Sequence, residues 1–357
     1  MWFVSIWFLL YAVSIFGLIF GIQRLRLANS QKPQMSLDEV TVVIPFRNES
    51  TNLKRLIDCI RSQSYQPAQW IFVNDHSEDD FQPFFKELEH FPYRLLNLPP
   101  EQRGKKRAIR FGVDHVRTEY CLTMDADVWF GKNYIKSLLI MPEADMVILP
   151  VEMKGKRWWH SFFTLEFLFT TLINRGVSGW LRPVNCSGAN LLFKVSSYDD
   201  VNDIEEHDHI LSGDDMYALR AFREADKRVE IAEISEAKVF TETPVTFAET
   251  MEQRVRWMNK TGNVGDTLNS FLGIWAVGLH LSYFLLLLLS WFAGAQWFTV
   301  LTILLKGSLD LALIRMDTKS LDVKTITGLL LFEFGYPIYI LALIGNAMFT
   351  QPEWKGR

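Results

Sequence analysis

The chain is short of cysteine, of net charge and of repetition, and each shortage removes a class of function. Its 357 residues include three cysteines, Cys59, Cys121 and Cys186, far apart and without metal-ligand spacing. Each has apolar or small neighbours, which predicts buried reduced thiols and a reducing compartment for the middle of the chain. The formal net charge is only −4, so nothing points to nucleic acid as the main partner. There is no internal repeat and no low-complexity stretch. His207-Asp208-His209 has poor spacing for zinc and no cysteine nearby, and it reads as loop. What the chain does have is apolar surface: 49% hydrophobic against 22% charged residues. The excess lies at the two ends, and the length suits one mid-sized enzyme domain plus membrane anchors.

Residues 2–22 form an almost uncharged run of roughly 20 residues, enough to cross a bilayer as a helix. This predicts an N-terminal transmembrane region over 1–24. No basic residue precedes the run, which argues against a secretory signal. Arg24, Arg26 and Lys32 follow it, so the chain is expected to emerge on the cytoplasmic side. A C-terminal transmembrane region over 270–350 is expected to hold about three helices, at 272–293, 297–314 and 326–349. The second contains Lys306 and Asp310, four apart and on one helical face. They read either as a buried pair within the bundle or as a polar patch lining an acceptor path. Glu333 and Pro337 interrupt the third. The loop 294–296 has no basic residue, whereas 315–324 has Arg315, Lys319 and Lys324. The asymmetry predicts a multi-pass protein of about four spans, with both ends outside and the middle cytoplasmic, in the cell inner (plasma) membrane.

Between these ends, residues 38–262 read as an α/β domain. Strands are predicted at 39–45, 70–74, 93–98 and 120–124. Helices are predicted at 50–63, with Ser50 as N-cap, at 105–116 and at 216–224. Their alternation implies a mostly parallel sheet with helices on both faces. Ligands gather at the carboxyl ends of such strands, and three polar motifs fall there: 47–49, 75–79 and 125–127.

Asp125-Ala126-Asp127 puts two carboxylates, one residue apart, at a strand mouth, where they can hold a divalent cation against a diphosphate; a solvated loop is the alternative. Asp75 can accept hydrogen bonds from a base or ribose, or serve its own turn. Lys105, after Gly104 and before Lys106 and Arg107, can meet phosphate oxygens. In Gly213-Asp214-Asp215 a carboxylate at a helix start can cap the helix or act as general base; Asp214 can do the first and Asp215 the second. Gln253, Arg256 and Trp257 share a helical face, with Arg256 able to grip a diphosphate and Trp257 to stack on a sugar. An interfacial Arg/Trp belt is the alternative.

In their order these motifs resemble the membrane-bound, processive-type members of glycosyltransferase family 2, the group of cellulose, chitin and hyaluronan synthases and of ceramide glucosyltransferase. The counterparts are Pro45, Asn48 and Glu49; Asp75; Asp125 and Asp127; Asp214 and Asp215; and Gln253, Arg256 and Trp257. The resemblance spans residues 40–260. Gly188 and Asn190 resemble the family's segment near the acceptor, and residues 157–182 its amphipathic interface helix, with a short transmembrane span as the alternative. Two departures stand out: Asp214 where the family usually has Glu, and Asp75-His76-Ser77 where it often has Asp-Gly-Ser. The resemblance implies a GT-A fold and an inverting, metal-dependent reaction. In it Asp75 touches the base, Lys105 the phosphates, Asp125 the nucleotide, and Asp127 holds Mg2+ or Mn2+. Asp215 deprotonates the acceptor, while Arg256 and Trp257 hold the diphosphate and acceptor site. The expected activity is transfer of a sugar from a nucleotide-sugar, with a UDP-sugar favoured, to a lipid or membrane-associated acceptor. Four spans are few for a polysaccharide channel, which ranks glycolipid synthesis ahead of a polysaccharide synthase. An inactive nucleotide-sugar-binding scaffold is the reading from another class.

Overall fold

A computed structural model describes residues 2–29, 36–201, 214–318 and 321–349. Lys32, His207, Asp208, His209, Gly213 and Lys319 lie outside the described residues. The helices are α1 (Trp2–Ala28), α2 (Ser50–Arg61), α3 (Gln82–Phe85), α4 (Lys105–Val113), α5 (Tyr134–Ser137), α6 (His160–Ser178), α7 (Val195–Val201), α8 (Asp214–Glu224), α9 (Phe247–Val264), α10 (Thr267–Phe292), α11 (Gln296–Ile314) and α12 (Val323–Phe349). The strands are β1 (Val40–Phe46), β2 (Gln69–Asn74), β3 (Tyr93–Asn97), β4 (Tyr120–Met124), β5 (Trp129–Phe130), β6 (Met146–Ile148), β7 (Val151–Lys154), β8 (Asn190–Lys194), β9 (Val229–Ile231) and β10 (Val239–Glu242). The described residues divide into two compact units, one within 28–152 and 185–242, the other within 2–27, 153–184 and 243–349.

The first unit is the α/β unit. Its seven-stranded sheet runs β3-β2-β1-β4-β8-β6-β9. β1 pairs in parallel with β2 and β4, and β2 with β3. β8 runs antiparallel between β4 and β6. Every residue of β1 is buried, as expected of a central strand covered on both faces. α2 buries Leu53, Leu56, Ile57 and Ile60, the positions its helical spacing marks. Its cap differs from expectation. Glu49 is the N-cap residue and Ser50 is the first helical one; the Ser50 N–H donates to Asp79 Oδ2 at 2.7 Å. A carboxylate from the loop after β2 therefore meets the helix start, which frees Ser50 from capping. α4 ends at Val113, three residues short of the predicted 116. It lies so close to the sheet that a Cβ on Gly112 would come within 2.5 Å of Val43 Cγ1. Two thiols are buried, Cys121 and Cys186, whereas Cys59 is half-buried; none of the three is in a disulfide. Burial pushes the Cys121 thiol well above its ordinary range.

The second unit holds four helices long and apolar enough to cross a membrane: 4–28, Thr267–Phe292, Gln296–Ile314 and 323–348. α6 and α9 complete it. Its core includes Trp7, Tyr11, Phe162, Leu172, Tyr283, Leu313 and Phe332. Lys306 and Asp310 form the buried pair rather than a solvent-lined patch: both are 0% exposed, with Nζ to Oδ2 at 2.7 Å. Glu333 from α12 joins at 3.0 Å, and the Tyr11 hydroxyl donates to Asp310. An ionic cluster closed on itself leaves few polar atoms to apolar surroundings. Pro337 lies inside α12 without ending it, as neighbouring helices allow in apolar bundles.

Candidate active site

Three parallel strands end at one edge of the sheet. Phe46 of β1 pairs with Asn74 of β2, and the Asp75 N–H donates to the Phe46 carbonyl at 2.9 Å. β4 reaches the same edge, and antiparallel β8 begins there, with Asn190 opposite Met124. The motifs at 45–49, 75–79, 125–127 and 186–190 therefore line one carboxyl-end edge, the usual ligand site of such sheets. Pro45 lies beyond the last β1–β4 pair, Val43 with Thr123, where a residue without an N–H is tolerated.

The loops after β1 and β2 are laced together. Asn48 donates its N–H to Ser77 Oγ at 3.0 Å and accepts from the Glu78 N–H at 2.8 Å. Glu49 accepts from Asn52 Nδ2 at 2.6 Å. Asn48 and His76 both have positive φ, 52° and 53°, a costly conformation for non-glycine residues that concentrates at functional sites. Asp75 between them is 1% exposed. Its Oδ2 accepts the Gly104 N–H at 3.0 Å, while its Oδ1 is buried without a hydrogen-bond partner. A buried carboxylate oxygen in that state is ready for a donor from a ligand.

Gly104, at φ 98°, turns the chain into α4. Lys105 at the helix start reaches back to Asp125, Nζ to Oδ1 at 2.5 Å, with both side chains about a quarter exposed (23% and 30%). Asp127 is half-buried. Its carbonyl accepts from Arg55 Nη2 at 2.9 Å. Arg55 also pairs with Glu242 at 2.6 Å and lies 4.1 Å from the Trp129 ring centroid. Arg55 thus fixes the backbone that carries the candidate metal ligand. No local spacing marks it, because its anchors come from β5 and β10. Among the described residues no three His, Cys, Asp or Glu side chains converge as a ready-made metal cage. Oxygen ligands from Asp127, with phosphates and waters completing the shell, suit Mg2+ or Mn2+.

Asp215, in the first turn of α8, is 8% exposed. Its Oδ2 accepts the Gly188 N–H at 2.9 Å and its Oδ1 the Met216 N–H at 2.8 Å. Because Gly188 lies two residues before Asn190, and Asn190 faces Met124, this bond ties Asp215 to the end of β4. The Asp214 backbone starts the helix, but its side chain lies outside the described residues. Asn190 is 0% exposed. Its Nδ2 donates to the Pro150 and Ala237 carbonyls, each at 2.9 Å, and its Oδ1 accepts from the Tyr134 hydroxyl at 2.5 Å. Both amide protons are committed, so Asn190 positions the 186–190 loop from below.

Gln253, Arg256 and Trp257 lie on α9 in the other unit, and each is half-buried. The residue organising them there is Arg254, 2% exposed. It pairs with Glu166 at 2.8 Å, donates to the Gln253 side chain, and lies 4.5 Å from the Trp257 ring centroid. The edge-of-sheet residues and this group therefore belong to different compact units.

A sequence model described as Glycosyl transferase family 2 matches residues 41–201. Among curated proteins, the chain is 27% identical over 114 residues to glycosyltransferase GlyA of Streptococcus pneumoniae, covering 31% of this chain and 16% of that one. It is 26% identical over 170 residues to the putative glycosyltransferase CsbB of Bacillus subtilis, covering 44% and 51%. Identity is also 26% over 109 residues to a poly-beta-1,6-N-acetyl-D-glucosamine synthase of Staphylococcus aureus, covering 29% and 26%. The chain thus spans about half, or less, of the length of these relatives. Among solved structures, mannosyltransferase PcManGT from Pyrobaculum calidifontis, in complex with GDP-Man and Mn2+, matches with a TM-score of 0.55 at 16% identity. That match covers 97% of this chain and 99% of PcManGT, and it establishes a shared fold.

Proposed function

We propose that the chain, whose residues 41–201 match the Glycosyl transferase family 2 model, is a member of that family and an inverting, metal-dependent hexosyltransferase acting at a membrane. The donor is a nucleotide-sugar, a UDP-sugar first, and the acceptor a lipid or membrane-associated molecule. The observation that carries this reading is the buried Asp75 Oδ1 without a donor, at the sheet edge that also bears the Lys105–Asp125 pair and Asp127. A nucleotide supplies what that edge wants: an N–H or hydroxyl for Asp75, and phosphate oxygens for Lys105. We assign the catalytic domain to 38–262, with membrane regions at 1–24 and 270–350 and the domain on the cytoplasmic side of the inner membrane.

In this mechanism Asp75 holds the base or ribose, within loops that Pro45, Asn48 and Glu49 shape. Lys105 exchanges Asp125 for a diphosphate oxygen. Asp127 would hold Mg2+ or Mn2+, with Asp125 beside the nucleotide; the cation would supply positive charge against the diphosphate. Asp215 takes the proton from the acceptor hydroxyl as its oxygen bonds to the anomeric carbon. The bond from that carbon to the diphosphate breaks on the opposite face, which inverts the centre. Gly188 orients Asp215, and Asn190 fixes the loop.

Four apolar helices favour an acceptor held at the bilayer. The S. aureus relative, named as a polysaccharide synthase, keeps polymer synthesis as the second reading. Membranes containing the protein are incubated with labelled UDP-sugars and with GDP-mannose, the donor bound to the fold neighbour. A discrete organic-extractable product supports single transfer to lipid, and a high-mass product supports the polymer reading. No transfer from any donor sinks the proposal and leaves the inactive scaffold.

A further inference from the structure

The second unit contains a cavity of about 330 Å3, walled by α1, α6, α10, α11 and α12. All of these but α6 are candidate membrane spans, so the molecules that reach it are those of a bilayer. It is elongated: its α6 wall runs from Glu166 to Val177, 11 residues or ~16.5 Å of helical rise. Its surface is mostly apolar. Where it meets α1, Gly17 faces open space, with no atom within 4 Å of an added Cβ. A long apolar slot is the shape of a hydrocarbon chain.

The polar side chains of the wall include Tyr11, Ser14, Thr170 and Tyr336 as well as His280 and Glu166, and the last two bear on the charge of a ligand. His280 shares its ring contact with Tyr336, 4.7 Å between centroids. Its Nδ1 bonds the Ala276 carbonyl at 2.8 Å and therefore carries the proton. Its Nε2 is then an acceptor, and it is buried without a partner. Glu166 accepts from Arg254 at 2.8 Å and from the Tyr339 hydroxyl at 3.1 Å. Arg254 offsets its charge, and the cavity lining includes no Lys or Arg side chain. An anionic phosphate finds no partner there, whereas a hydroxyl finds His280 Nε2.

We infer that this cavity binds the chain of a neutral membrane lipid whose hydroxyl donates to His280 Nε2. The lipid site lies within the second unit and stands apart from the proposed transfer reaction.

The test places the full-length protein in vesicles with trace photoreactive lipids, either a long-chain lipid with a free hydroxyl or a polyprenyl phosphate. After illumination, labelled residues are identified by mass spectrometry. The expected result is hydroxyl-lipid labelling at Ser14, Thr170 and Ala276, reduced at least tenfold by Gly17→Phe, which fills the slot. Ala276→Leu narrows the same slot, serves if Gly17→Phe fails to fold, and is expected to reduce labelling at Ser14 and Thr170. His280→Phe is expected to weaken the hydroxyl lipid without favouring the phosphate. Labelling confined to outward-facing Leu9, Leu289 and Leu304, or unchanged by filling, overturns the cavity assignment. Stronger labelling of the cavity by the polyprenyl phosphate overturns the neutral class.

Discussion

Asp215→Asn isolates the proposed proton transfer from the structure that supports it. The substitution keeps shape and volume. The Asn carbonyl can still accept the Gly188 N–H now held at 2.9 Å, while the Met216 N–H, now 2.8 Å from Oδ1, would face an amide NH2. One buried N–H losing its acceptor costs about 1–3 kcal/mol, which a thermal-melt assay of the detergent-solubilised protein reads. The chemical loss is separate. A general base contributes about 100- to 10,000-fold, or ~2.7–5.4 kcal/mol of barrier at ~1.36 kcal/mol per tenfold. Radiolabelled transfer with donor and acceptor varied independently is therefore expected to show kcat down by that range, with donor KM within about threefold, because Asp215 meets the acceptor and not the nucleotide. A folded Asp215→Asn enzyme that keeps more than a tenth of wild-type kcat refutes the base assignment.

Two further outcomes test the frame around the site. Lys306→Met leaves Asp310 and Glu333 without their shared cation inside the bundle, and breaking a buried pair in this way costs about 3–5 kcal/mol; a Tm within a degree or two of wild type in detergent would contradict the cluster. His160 is buried at the start of α6, with Nδ1 accepting the Lys156 N–H at 3.1 Å, and burial followed by the Arg157 charge lowers its pKa below the ordinary 6.5. Its neutral form is therefore the folded form: the stability is fully present above about pH 6.5 and is lost as pH falls from there through the lowered folded value. Melts between pH 7.5 and 5 are expected to show that fall, and His160→Gln to flatten it; equal slopes in both proteins would rule the group out.

The α/β unit was legible where apolar runs are long. The β-branched run at 39–45, the stretch 70–74 and the run 120–124 became β1, β2 and β4 to within a residue or two, because central strands are continuous apolar runs ended by polar loops. β6 and β9 have three residues each, too few for a period to register. Antiparallel β8, which brings Gly188 to the end of β4, depends on long-range pairing that no local pattern encodes. Ser50 carries the composition of an N-cap, yet Asp79 from the next loop meets its N–H, so tertiary structure overrode the local rule. The same distance hid Arg55, whose partner Glu242 is 187 residues away. Lys306 and Asp310 were readable as a pair because four residues is one helical step, whereas Glu333, 27 residues further on, read only as an interruption. The carboxylates of the candidate site were legible by type and by place after strands. That Asp75 Oδ1, like Asp79 Oδ1 in the same loop, is buried without a hydrogen-bond partner took coordinates to see.

The central claim is that acids remote in sequence hold a cation and a nucleotide diphosphate at one sheet edge, and its most direct measurement is metal-dependent nucleotide binding. Calorimetric titration of UDP into the full-length protein is run with Mn2+, with Mg2+ and with excess chelator, on wild type, Asp127→Ala and Asp75→Asn. Saturable binding with either cation, weakened at least tenfold by chelator and by each substitution, is the outcome the account requires. UDP binding that ignores the chelator and survives Asp127→Ala unchanged would contradict it.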